Sequence, residues 1–304
     1  MKQTIRSAMA RLVAALPSGV LTDRAFQPLY AARGYHVVPR HFYHPVPDPD
    51  VVADADFAAP TQMAGIDLNL DAQRALIESE AFAAHAAEFE VEEAAMNARR
   101  GRVSGFTGLD GRVLYHMIRQ HRPKRIVEIG SGDSTNVAAL ALARNGDPEA
   151  RLDAVEPYPD PVFGLDALER VTVHAKRVET IAFDFFSSLG DGDILFIDSS
   201  HVVKFKSDVV YEFNEILPRL QPGVFVHVHD IFLPYEYPQA FLERHTYWTE
   251  QYLLQSFLQF NAAFEILWSP GIARAHFPDA VTRAWPGFDP AEQQAGSFWM
   301  RRVR

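Results

Sequence analysis

Apolar and polar positions follow two rhythms along the chain, and the change falls near residue 105. Over 71–98 the sequence is rich in Ala and Glu with almost no breakers, and Ala75, Phe82, Phe89 and Met96 recur at a seven-residue spacing. That spacing predicts one long helix burying a single stripe against a core or a neighbouring subunit. Upstream, after a helical opening, GYHVVPRHFYHPVPDPD (34–50) carries Pro39, Pro45, Pro47 and Pro49. Prolines at this density forbid a regular helix and favour extended backbone, so an ordered loop or lid is expected there.

From about 110 onward, short apolar runs alternate with helical patterns. RIVEIG (125–130), LDAVEP (152–157), VTVHA (171–175), DILFIDSSH (193–201) and VFVHVHD (224–230) read as strands. STNVAALALAR (134–144), closed by Asn145-Gly146, reads as a helix, as does the stripe Phe205, Val209, Phe213 and Ile216 that stops at Pro218. After a further helix around 248–260, AFEILWS (263–269) and SFWMRRV (297–303) supply two last strands. The βαβα order predicts an α/β, Rossmann-like, doubly wound sheet over 106–304, preceded by a helical N-terminal extension with a Pro-rich lid or substrate loop over 1–105.

Composition narrows the classes of function. With 304 residues, 48% hydrophobic and 22% charged, the chain is neither disordered nor a coiled coil. A formal net charge of −10 makes nucleic acid and anionic membrane poor partners. The absence of cysteine removes disulfides, thiolate metal sites and cysteine nucleophiles, so any nitrogen ligands must come from the twelve histidines. Arg11 interrupts the apolar stretch at the start, leaving too short a run for a signal peptide, and no window has the apolar length of a bilayer span. A cytoplasmic protein is expected; the acid-free, Arg-containing start also fits an organelle transit peptide.

Candidate chemistry begins at VEIGSGDST (127–135), where Gly130 and Gly132 lie between a strand and a helix. Missing side chains there let backbone N–H groups approach a ligand. Glu156, at the end of the next strand, is where a doubly wound fold grips ribose hydroxyls. These two features suit a nicotinamide dinucleotide and S-adenosylmethionine alike. Three more distinguish them: Glu128 two residues before the first glycine, the helix, Leu-x-Pro-Gly-like turn and apolar strand in LPRLQPGVFVHVHD, and the two closely spaced final strands.

Together these residues make 110–304 resemble the class I S-adenosylmethionine-dependent methyltransferases. The resemblance implies a seven-stranded sheet whose last strand inserts antiparallel, with the cofactor over the carboxyl ends of the first strands. It implies that Gly130, Ser131 and Gly132 face the methionine and ribose, with Glu128 in support, Glu156 on the ribose and Lys176, Arg177, Val178 and Glu179 beside the adenine. Ser134 replaces a third glycine often found in the family and suits a helix start, where its oxygen can cap a free N–H.

Asp198 and His201 follow ILFI, and His229 and Asp230 end VFVHVH. On one edge of a parallel sheet they would hold a divalent metal or form a hydrogen-bonded network around the cofactor. IDSSH and HVHDIF are similar to the metal segments of catechol-type and bacterial natural-product O-methyltransferases. That likeness implies a metal at Asp198, His229 and Asp230, with manganese or iron better matched than magnesium to an imidazole ligand. It implies His201 as the general base that takes the proton of an acceptor hydroxyl. His41, Tyr43, Tyr235 and Tyr237, in two loops rich in aromatic residues and proline, are expected to wall a pocket for a small acceptor. The long helix and the exposed loop would also suit a homodimer. The competing readings are an NAD(P)-dependent oxidoreductase and a non-catalytic scaffold that keeps the cofactor fold.

Overall fold

The computed structural model describes residues 7–8, 11–13, 15–286 and 295–304, so part of the expected helical opening lies outside the described residues. It divides into two compact units, Met1–Ala55 and Asp56–Arg304. The first holds short helices at Ser18–Leu21, Gln27–Ala31 and Pro49–Ala53, with irregular chain across the proline-rich stretch between the last two. Within that stretch His41, Phe42 and Tyr43 pack their rings on one another, with centroids 4.1–4.8 Å apart.

The second unit begins its helical layer with α1 (Leu70–Glu78), α2 (Glu80–Arg100) and α3 (Gly108–His121). The single helix expected over 71–98 is broken at Ser79, whose extended backbone ends α1 and whose hydroxyl caps α2 by accepting from the Phe82 N–H at 3.0 Å. Phe82, Phe89 and Met96 are buried as expected, but Ala75 is exposed and Gln73 and Ile77 take the inward positions of α1. The expected boundary at 105 thus falls inside the second unit.

Next come β1 (Arg125–Ile129), α4 (Asp133–Asn145), β2 (Arg151–Val155), β3 (Val171–His174) and β4 (Ile194–Ile197). They are followed by α5 (Asp208–Tyr211), which runs on through a wider, π-type turn to Ile216, then β5 (Phe225–Val228), α6 (Glu250–Leu258) and β6 (Phe264–Trp268). The last elements are α7 (Pro270–His276), α8 (Pro278–Ala284) and β7 (Phe298–Arg302). Phe205, expected on the stripe of α5, instead lies in the preceding loop and is 91% exposed, because Ser207 caps the helix at the Val210 N–H.

Seven strands form one sheet in the order β3-β2-β1-β4-β5-β7-β6, with β7 antiparallel to both neighbours and the other pairings parallel. Successive side chains on a strand point to opposite faces. Ile126, Ile194, Phe196, Phe225 and Trp299 therefore pack under α2, α3, α4, α7 and α8. Val127, Leu195, Ile197, Val226, Val228 and Met300 pack on the opposite face under α5 and α6. Among the described residues no helix is long and apolar enough to cross a membrane.

Candidate active site

Register decides which side chains meet. Val155, Ile129, Ile197 and Val228 are paired neighbours across β2, β1, β4 and β5, each the last residue of its strand. The residues one step beyond, Glu156, Gly130, Asp198 and His229, therefore emerge in a row on the carboxyl edge. The ladder continues past the strands: the N–H groups of Gly130, Asp198 and His229 donate to Val155, Ile129 and Ile197 at 2.8–2.9 Å. Gly130 has φ +87°, and a Cβ there would collide with the Asp198 carbonyl, so the turn can lie against the next strand only without a side chain.

On one side of this row is a cleft of about 530 Å³ lined by Gly130, Glu156, Arg177, Val178, Glu179 and Asp198, together with Tyr158 and residues 204–208. Five of the expected cofactor positions thus share one cavity large enough for a nucleoside-sized ligand. Lys176 is exposed and absent from the lining. Glu128 lies beneath the turn, where its carboxylate accepts from the Ser134 hydroxyl at 2.5 Å and burial pushes its pKa up to about 8. Its second oxygen and the Ser131 hydroxyl are buried without a protein partner, as expected where a bound molecule completes the hydrogen bonding. Gly132 differs from Gly130: a Cβ there would make only ordinary contact with the Phe163 ring.

On the other side is a chamber of about 610 Å³ formed by Glu93 of α2, residues 105–110, Arg112, His229 and Asp230, and closed by Trp285 and Ala295. Asp198 lines the cleft and Asp230 the chamber, and the two carboxylates are joined through His201. Single ligand atoms of Asp198, His201 and Asp230 all lie within 4.8 Å of one another. His201 Nε2 is 3.2 Å from Asp198 and 3.9 Å from Asp230, while Nδ1 is 2.9 Å from Glu250, a fully buried carboxylate at the start of α6. The His201 carbonyl accepts from the N–H groups of Thr249 and Glu250, which fixes the loop on that helix. His201 and Asp230 both hold left-handed backbone, φ 58° and 54°, a costly conformation for residues other than glycine.

Electrostatics follow from this packing. Burial pushes the His201 pKa down, but Asp198 and Glu250 outweigh it and hold the ring well above its usual value. With carboxylates facing both nitrogens, the metal-free ring is drawn toward its protonated form, whereas the sequence reading expects it to act as a neutral base. Burial raises Asp198, and the neighbouring His229 and His201 bring it below the ordinary range. His229, opposed by burial but raised by Asp230, Asp198 and Asp110, lies with Nε2 3.8 Å from Asp230 and its ring 4.9 Å from Phe106. It stands beside the cluster that brings Asp198, His201 and Asp230 together.

The expected acceptor residues belong to both units. Tyr235 and Tyr237 line a separate pocket of about 180 Å³, where Tyr235 lies under the Arg274 guanidinium at 3.9 Å. The buried Tyr237 hydroxyl accepts from the Gln251 N–H. His41 and Tyr43 are exposed members of the first unit. Sequence reading missed Glu250, 49 positions from the histidine it holds, and the chamber residues Glu93 and Phe106, because no local motif marks them.

Residues 127–231 match the family model described as a methyltransferase domain. No curated protein matches the chain. Among solved structures it is similar to the O-methyltransferase TomG from Streptomyces achromogenes, involved in tomaymycin synthesis and in complex with SAM, at 18% identity over 75% of this chain and 91% of that one, TM-score 0.42. Two others are the SAH-bound methyltransferase PaMTH1 from Podospora anserina (16%, 74% and 89%, 0.40) and an O-methyltransferase from Bacillus cereus in complex with SAH (15%, 79% and 98%, 0.39). Residues 127–231 thus match a methyltransferase-domain model and carry the row of strand-end residues, in a sheet whose last strand inserts antiparallel.

Proposed function

We propose that the protein transfers the methyl group of S-adenosylmethionine to a hydroxyl of a small metabolite, assisted by a divalent ion. The observation that carries this reading is the meeting of a cofactor-sized cleft and a second chamber at Asp198 and Asp230. The donor set of two carboxylates and one imidazole fits a first-row ion such as manganese or iron, with magnesium less suited. Asp198, Asp230 and His201 Nε2 would hold it, and Glu250 would fix His201 by accepting from Nδ1–H, the arrangement that orients ligating histidines. When bound, the ion would polarise the acceptor hydroxyl and lower its pKa.

The chain's own residues do the rest. Gly130 and Glu156 would hold the cofactor so that its sulfonium faces the carboxylate row. Asp230 would orient the hydroxyl from the chamber side by accepting its hydrogen. As the oxygen attacks the methyl carbon, the carbon–sulfur bond would break with its electron pair staying on sulfur, and the hydroxyl proton would pass to the Asp230 carboxylate and from there to solvent in the chamber. His229, expected as a ligand, would flank the acceptor.

Calorimetry with S-adenosylhomocysteine, methyl transfer from labelled cofactor to a panel of catechols, and elemental analysis of protein purified without chelator test the reading. Binding, labelled product and loss of turnover with chelator are the expected results. Turnover untouched by chelator would favour an ion-free network of Asp198, His201 and Glu250; absence of cofactor binding would favour a scaffold.

A further inference from the structure

The segment that rims the acceptor chamber is tied to the cofactor turn by a single carboxylate. Asp133 is the first residue of α4, directly after Gly132, and its side chain is 7% exposed. Its Oδ1 accepts from Arg100 Nη1 at 2.7 Å and from Arg102 Nη2 at 2.6 Å, and its Oδ2 accepts from the Gly105 N–H at 2.5 Å. All three partners lie on the last turn of α2 or in the loop that leads to α3. The next residue, Phe106, lines the chamber and packs on the His229 ring. Arg102 also lies 5.1 Å from the centre of the Phe163 ring, the ring that faces Gly132. A continuous path therefore runs from the turn beneath the cofactor, through Asp133 and Gly105, to Phe106 beside His229 and Asp230.

Stability is a poor explanation for this clamp. Buried ion pairs seldom stabilise more than apolar packing would. Here two guanidinium groups share one carboxylate, and Arg100 Nη2 and Arg102 Nε are left buried without a partner. An apolar contact would close the loop at lower cost. What the carboxylate adds is direction: it fixes Gly105, and hence Phe106, relative to the backbone that a bound cofactor would immobilise.

We infer that Asp133 is a positioning residue that couples occupancy of the cofactor turn to the order of the 101–107 rim of the acceptor chamber. The inference rests on the methyltransferase reading above. Its test needs no knowledge of the acceptor: amide hydrogen exchange of the 101–107 segment, with and without saturating S-adenosylhomocysteine, in the wild type, in Asp133→Asn, and in a double variant carrying Arg100→Gln and Arg102→Gln. The wild type should show exchange slowed about tenfold by the ligand, within the usual range of coupling between sites. Both variants should still bind the ligand by calorimetry and show no slowing. A structural staple alone predicts faster exchange in the variants by the same factor with and without ligand, and that result would overturn the coupling. So would a wild-type rim whose exchange ignores the ligand. If the wild type does not bind S-adenosylhomocysteine, the methyltransferase reading falls and the coupling with it; if it binds and only the coupling is absent, the reading stands.

Discussion

The cleft and the chamber, proposed above for cofactor and acceptor, meet at one pair of carboxylates, yet they are assembled by different means. Each wall of the cleft is the segment that directly follows a strand: Gly130 after β1, Glu156 and Tyr158 after β2, residues 177–179 after β3, Asp198 after β4. The chamber takes Glu93 from α2, Phe106 from a loop, Asp110 from α3 and Trp285 from beyond α8, and only His229 and Asp230 from a strand end. Sheet register therefore builds the first cavity, while helices outside the sheet build the second. On the proposed reading, a chain of this design could change its acceptor without disturbing its cofactor, because the two linings share no residue.

The largest effect should come from separating the two carboxylates. Asp230→Ala is expected to lower turnover by about 10³-fold while leaving S-adenosylhomocysteine affinity unchanged, since Asp230 lines only the chamber. Asp198→Ala should lose turnover to the same extent and also weaken cofactor binding. Single-turnover rates beside calorimetry would check both. Equal weakening of the cofactor by both variants would show that the cavities are not independent.

A smaller effect is expected within the cleft itself. Removing the Glu156 carboxylate should weaken S-adenosylhomocysteine by roughly 1.5–3 kcal/mol, the worth of hydrogen bonds to a charged group. Gly130→Val should fail to fold, because its Cβ collides with Asp198 in left-handed backbone, whereas Gly132→Val should fold and lose cofactor. Thermal melts with and without ligand distinguish these outcomes.

The same contrast explains what could be read from the chain beforehand. Gly130, Glu156 and Asp198 were legible because each follows a short apolar run, and parallel pairing brings such ends to one edge whatever the loops do. The break at Ser79 was obscured by the unbroken Ala/Glu composition, in which one hydroxyl outweighs a seven-residue repeat. Glu250 could not be seen: it meets His201 only because α6 begins against the loop after β4, a tertiary fact without local pattern. Its presence favours the protonated form of His201, since a second carboxylate faces Nδ1.

That raised pKa gives the next prediction. In metal-free protein His201 has a folded pKa above its unfolded value, so its contribution to stability is fully present below about pH 6.5 and is lost as pH rises through the folded value. Stability of chelator-treated protein should therefore fall on the alkaline side by at most about 1.4 kcal/mol per pH unit from this group. A His201→Gln variant should lack that component. Metal binding has the opposite sign, because the ligand must be deprotonated, and manganese affinity should rise over the same range. Glu250→Gln should weaken manganese about 10- to 100-fold, the usual consequence of losing the partner that orients a ligating histidine.

The smallest effect concerns the charge of the acceptor, and it probes the chamber alone. Glu93, Asp110 and Asp230 bring three carboxylates to its walls, while Arg112, which also lines it, is held by Glu90 on α2. Both Asp110 oxygens accept backbone N–H groups, from Gly296 and Ser297, whereas Glu93 Oε1 has no partner. With Asp110 so held and Asp230 assigned to the reacting oxygen on the proposed reading, Glu93 is the carboxylate expected to answer a charge on the acceptor. Among catechols that differ only in their side chain, dopamine should be preferred over 4-methylcatechol, and 3,4-dihydroxybenzoate should be disfavoured. The expected margin at each step is about fivefold, or roughly 1 kcal/mol, because the chamber opens to solvent. Raising the salt concentration should shrink the margin, as screening requires. In Glu93→Gln the dopamine preference should disappear while cofactor affinity stays at the wild-type value, since Glu93 does not line the cleft. A preference that survives both the substitution and high salt would have to come from shape, and would assign acceptor choice to Phe106 and Trp285 instead.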